Sequence, residues 1–131
     1  NLLREKIVIS AAKRFVVVAD TRKLVAQLGG AVLPVEVIPM AVPLVERKLM
    51  SLGLRPTVRQ REGGGEFRTD EGNVLLDCIS GGIGDPEALG GAIREIVGVV
   101  EHGLFLGMAD LAIVSDGVSV QEYTRECFSW R

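Results

Sequence analysis

Leu3, Ile7 and Ala11 recur at four-residue spacing, which predicts a helical face running from the first turn of the chain. Phe15-Val16-Val17-Val18-Ala19 is then apolar without a break and β-branched at its centre, the pattern of a strand covered on both faces in a parallel sheet. Asp20-Thr21 can cap a following helix whose stripe is Leu24, Val25 and Leu28 and which Gly29-Gly30 ends. Residues 1–30 therefore predict helix–strand–helix, a doubly wound α/β layout without its beginning.

Leu33-Pro34 breaks that pattern, and Val35, Val37 and Ile38 make a second strand. Pro39 and Pro43 bracket a helix start, because proline is tolerated in the first turn, where its missing N–H has no helical partner to lose. Val42, Val45 and Leu49 line that helix and Gly53 stops it. A short strand at Thr57–Gln60 and another at Asn73–Ile79 flank a turn-rich connection, residues 61–72. Asp85-Pro86-Glu87 marks the next helix start, whose apolar face is Leu89, Ile93 and Ile96 and which Gly98 ends; Val99–Phe105 is the strand after it. From 34 to 105 the order is β-α-β-β-α-β, the split-βαβ or ferredoxin-like arrangement. Two more strands, Leu111–Val114 and Val118–Tyr123, surround the turn Ser115-Asp116-Gly117. The predicted fold class is α/β: the remnant of a doubly wound Rossmann-like domain (1–33 and 106–131) with an inserted ferredoxin-like α+β domain (34–105).

Composition changes this picture in one respect. Hydrophobic residues make up 47% of 131, and mean hydropathy is +0.30. A chain of this size buries only ~70% of its unfolded surface, so the surplus predicts a partner subunit or further parts of the same domain. Lys+Arg 15 against Asp+Glu 17 leaves a net charge of -2, without the basic excess of a nucleic-acid binder. No apolar run approaches the ~18 residues of a membrane span. Neither nucleic acid nor membrane is therefore an expected partner. Two cysteines, Cys78 and Cys127, are too few for a disulfide scaffold and predict a reducing, cytoplasmic setting.

Candidate chemistry is sparse. Gly63-Gly64-Gly65 lies between two strands with no Lys-Ser/Thr after it, so it is expected to be a hairpin connection rather than a phosphate loop. Gly81-Gly82-Ile83-Gly84 lacks the third glycine of a dinucleotide fingerprint and is expected to be a tight turn. His102 is the single histidine, which leaves metal clusters and Ser-His-Asp catalysis almost nothing to work with; a solvated or hydrogen-bonded strand histidine is expected. Cys78 is expected in the core, while Cys127 shares a tail with Phe128 and Trp130. Arg4-Glu5-Lys6 taken alone is a charged first turn, and Lys23 an ordinary exposed helix lysine.

Several stretches in order do carry a resemblance. Arg4-Glu5-Lys6-Ile7, Val18-Ala19-Asp20 with Lys23, Pro34-Val35-Glu36-Val37-Ile38-Pro39-Met40-Ala41, Asn73–Asp77, Asp85-Pro86, Gly98-Val99-Val100, Gly103-Leu104-Phe105 and Asp116-Gly117 resemble ribose-5-phosphate isomerase, type A, over residues 1 to about 120. The resemblance implies interconversion of D-ribose 5-phosphate and D-ribulose 5-phosphate in the pentose phosphate pathway, with no metal and no organic cofactor. It places the general base on Glu5 and a substrate-binding lysine on Lys23. Moving a carbonyl between adjacent carbons passes through an enediolate: one carboxylate takes the proton from C2 and returns it to C1, while cations and N–H donors stabilise the oxyanion. The family's Ser/Thr-rich phosphate loop, Asp-Gly-Ala-Asp segment and Lys-Gly-Gly-Gly loop lie upstream of its glutamate and have no match here, so this stretch alone is expected to be inactive. A homodimer or homotetramer is implied. The rival expectation is a non-catalytic ligand-binding or subunit-contact module built on residues 34–105.

Overall fold

A computed structural model describes residues 2–20, 32–104 and 111–124. In chain order the elements are α1 (Leu2–Ala11), β1 (Val16–Asp20), β2 (Leu33–Val37), a 3-10 turn (Pro39–Ala41), α2 (Val42–Ser51), β3 (Arg55–Val58), β4 (Val74–Ile79), α3 (Pro86–Arg94), β5 (Val99–His102), β6 (Leu111–Ser115) and β7 (Val120–Thr124). They form an α/β fold with two sheets. One is three-stranded in the order β1-β6-β7, with β1 parallel to β6 and β6 antiparallel to β7. The other is four-stranded in the order β3-β4-β2-β5, and every neighbouring pair is antiparallel.

Strand alternation builds the core of the four-stranded unit. Leu33, Val35 and Val37 of β2 and Val74, Leu76 and Cys78 of β4 point to one face, where Val45 and Leu49 of α2 and Ile93 of α3 meet them. The helix signals hold. Pro43 sits in the first turn of α2, and after Leu52 the chain turns through Gly53 at φ +84°, with Gly53 N–H donating to Met50 O and Leu54 N–H to Leu49 O. That pair of bonds is a Schellman stop, and its glycine takes the left-handed conformation that side chains resist. Asp85 caps α3 by accepting the Ala88 N–H at 3.0 Å. Residues 61–72 form a hairpin connection: Arg61 N–H donates to Gly65 O, and isolated bridges join Gln60 to Glu66 and Arg68 to Val74.

Three expectations need correction. Among the described residues, strand β1 is not covered on both faces: Val16 and Val18 are 39% and 74% exposed while Val17 and Ala19 are half-buried. An unbroken apolar run cannot distinguish one covered face from two, because alternate side chains simply point opposite ways. Helix α3 ends at Arg94, short of Gly98, because Ile96 N–H bonds back to Ile93 O and Val99 N–H to Ile96 O, tightening the chain into i→i+3 turns. In α1 the face Leu3, Ile7, Ala11 is not the buried one: Ile7 is 57% exposed, and the buried residue is Lys6. Its cause is a bond to a residue distant in sequence, described next. The expected helix with Leu24, Val25 and Leu28 lies outside the described residues.

Candidate active site

Helix α1 meets the four-stranded unit through charge. Arg4, exposed, donates from Nε to Glu71 Oε1 at 2.8 Å and lies 3.5 Å from Asp70 Oδ2 in the 61–72 connection. Two residues on, the Lys6 ammonium is buried against the edge strand β5, where it donates to Glu101 Oε1 at 2.8 Å and to the carbonyl of His102 at 2.5 Å. Glu5 falls between these two fastenings, in the first turn of α1, with an exposed side chain.

Glu101 is itself well held. Its Oε1 accepts from Arg94 Nη2 of α3 at 2.8 Å and from its neighbour's amide, His102 N–H, at 3.0 Å. Burial pushes its carboxyl up, but the hydrogen bonds from Lys6 and the His102 amide and the charges of Lys6 and Arg94 outweigh that and hold it below the usual carboxylate range. Burial pulls the Lys6 ammonium below an ordinary lysine against the counter-pull of Glu101. His102 is pushed down to about 4, first by burial and then by the nearby Lys6 charge. Its Nδ1 accepts the Leu104 N–H at 3.1 Å, so the proton of the neutral ring sits on Nε2. An open groove of ≈ 670 Å³ runs beside this cluster, lined by Leu3, Lys6 and Ile7 of α1, Gly90 and Arg94 of α3, and His102; Glu5 does not line it.

Among the described residues no group of three His, Cys, Asp or Glu is placed to hold a metal ion, and no helix is long and apolar enough to cross a membrane. Cys78 is buried in the core, and burial raises its thiol to about 12, far from a nucleophile's range. His102 is hydrogen-bonded within the fold, one of its two expected states. Lys23, Cys127 and Trp130 lie outside the described residues. The Lys6–Glu101–Arg94–His102 cluster is what the sequence reading missed. Its one local signal is a polar pair, Glu101-His102, inside the otherwise apolar stretch 99–105.

Set against known proteins, the chain matches the ribose 5-phosphate isomerase A (phosphoriboisomerase A) family over residues 1–118. It belongs to that family. Ribose-5-phosphate isomerase A of Roseiflexus sp. (strain RS-1) is 52% identical over 120 residues, 89% of this chain and 52% of the relative. That of Thermomicrobium roseum is 47% identical over 127 residues, 95% of this chain and 54% of the relative. Among solved structures, ribose 5-phosphate isomerase A from Methanocaldococcus jannaschii is similar with a TM-score of 0.86 at 37% identity, covering 93% of this chain and 54% of that one. A D-ribose-5-phosphate isomerase in complex with phospho-erythronic acid has a TM-score of 0.86 at 33% identity, covering 92% of this chain and 54% of that one. This member of the isomerase A family thus spans about half the length of the relatives it matches.

Proposed function

We propose that these residues carry the proton-transfer half of an aldose–ketose isomerase interconverting D-ribose 5-phosphate and D-ribulose 5-phosphate through an enediolate, a reaction of the pentose phosphate pathway, with no cofactor. Glu5 is the general base. Its carboxylate takes the C2 proton of the aldose, electrons flow into the C1 carbonyl to give the enediolate, the hydroxyl proton of O2 passes to O1, and the carboxylate returns its proton to C1 as the C2 carbonyl forms. Lys23 binds substrate and helps hold the oxyanion. The observation that carries this reading is the position of Glu5: exposed, in the first turn of a helix fastened on either side of it by Arg4 and Lys6, in a chain of the isomerase A family. Lys23 follows the C-terminal end of β1 by three residues, the edge where open α/β sheets bind ligands, which supports its role. The similar isomerase holding phospho-erythronic acid supports a sugar-phosphate substrate. The 131 residues alone, lacking the family's phosphate loop, are not expected to turn over.

The strand order of the four-stranded sheet supports a ferredoxin-like unit at 34–105 inserted into a Rossmann-like domain formed by 1–33 and 106–131. The test of function is Glu5→Gln in the full-length gene product, assayed on ribose 5-phosphate. Turnover falls by ~10²–10⁴-fold while substrate binding is largely spared; unaltered turnover rejects the assignment.

A second role, subunit contact in a homodimer or homotetramer, rests on the apolar residues that the four-stranded unit leaves outside. Met40 is 90% and Val97 80% exposed. Met40→Glu with Val97→Glu lowers the sedimentation mass of the assembly if this face is the contact; an unchanged mass places the contact elsewhere.

A further inference from the structure

Helix α1 takes its seating from an ion pair more than from an apolar stripe. Lys6 is its one buried side chain, whereas Ile7 and Val8 are 57% and 68% exposed and Leu2, Leu3 and Ile9 are half-buried. An amphipathic helix ordinarily gets its rotational setting from a continuous hydrophobic face. Here the buried directional bonds are those of Lys6 Nζ, to Glu101 Oε1 at 2.8 Å and to His102 O at 2.5 Å, while the Arg4–Glu71 bond is exposed to solvent, which weakens it as a determinant of rotation and register. The receiving end is rigid, because Glu101 also accepts from Arg94 and from the His102 amide.

Glu5 is the residue immediately before Lys6, and the helix couples them as a rigid body. Rotating α1 by ~10° sweeps a carboxylate at the ~6 Å side-chain radius of a helix through about 1 Å. A displacement of that size costs a proton-transfer geometry ~100-fold in rate. Buried ion pairs contribute little net stability, because desolvation offsets their attraction. Specifying a position is the use that remains for this one.

We propose that Lys6, gripped by Glu101, is a positioning residue that sets the rotation of α1 and with it the place of the Glu5 carboxylate against the reacting carbon. This rests on Glu5 being the base. The four-stranded unit thereby acts on the chemistry without touching substrate: it is the anchor from which the base is aimed.

The experiment uses the full-length gene product with ribose 5-phosphate, protonated and deuterated at C2. Lys6→Met keeps the length of the side chain and removes the charge; Glu101→Gln keeps the shape of the acceptor. Each lowers kcat by ~10–100-fold with KM within about threefold, and raises the deuterium isotope effect as proton removal becomes limiting. The double variant is no worse than the poorer single one, because the two residues act as a unit. Should both single variants fail to fold, Glu101→Asp, which keeps the charge and retracts it by one methylene, carries the test with an expected ~10-fold loss of kcat. Folded variants with the parental kcat and an unchanged isotope effect overturn the proposal. Glu5→Gln separates the two failures. If it leaves turnover intact, the base assignment falls; if it abolishes turnover while Lys6→Met is fully active, only the positioning role falls.

Discussion

His102 is 3% exposed, its Nδ1 is occupied by the Leu104 amide, and two cations, Lys6 and Arg94, stand beside the ring. An imidazolium is unwelcome there, which is why its pKa falls to about 4 from an ordinary 6.5. A histidine depressed in the folded state binds more protons when unfolded, so its contribution to stability is present in full above pH 6.5 and is lost as pH falls from 6.5 towards 4. Glu101, also held low, loses its own contribution as pH drops further, in the same direction. Urea unfolding followed across pH 7 to 4 is expected to lose roughly 2–3 kcal/mol through His102. In His102→Asn, whose amide oxygen can still accept from Leu104 N–H, that slope flattens; an equal slope in the variant would assign the acid sensitivity to other groups. The Glu5 and Lys6 substitutions belong to this same scale, where one side chain decides the outcome.

At the scale of elements, the approach of β5 to α2 is set by one glycine. Gly98 has φ +100°, and a Cβ built on it would overlap the Ala41 Cβ and meet Val45 Cγ2 at 3.4 Å. Its carbonyl also accepts the Ile38 N–H at 2.9 Å, so the backbone cannot swing aside without losing that bond. Gly98→Ala combines left-handed strain with overpacking and is expected to destabilise by about 2–4 kcal/mol, read as a lower urea midpoint at unchanged slope. A loss under 1 kcal/mol would mean that Ala41 yields easily. Glycines and prolines made the four-stranded unit legible: Pro43, Gly53 and Asp85-Pro86 punctuate the chain by backbone rules that hold locally, whereas Gly98 marks the entry to β5 and not the end of α3. Helix α1 was legible as a helix but not in its orientation. The partner of Lys6 stands 95 residues away, and no periodicity within ten residues can report that. The β1 run failed differently, since an apolar sequence records what a face tolerates and not what covers it.

For the molecule as a whole, the described residues join a sheet with a parallel pair to an antiparallel one, and the charged bonds of Arg4 and Lys6 tie α1 to the second. Family membership came from motifs spread along residues 1–118, not from any cluster of reactive groups. Glu5 in isolation is one acid in a charged turn, and spacing alone would never have singled it out. The proposed base is prominent chemically only when an isomerase site surrounds it. The four-stranded unit has its own sealed core, and Cys78 lies inside it, fully buried with its thiol raised to about 12. That sulfur is a clock. A thiol reagent reaches it when β4 parts from its neighbours, so with Cys127 replaced by Ser the labelling rate counts opening events of the core under native conditions. The unit proposed to aim the base thereby carries its own gauge of how often that aim would be lost.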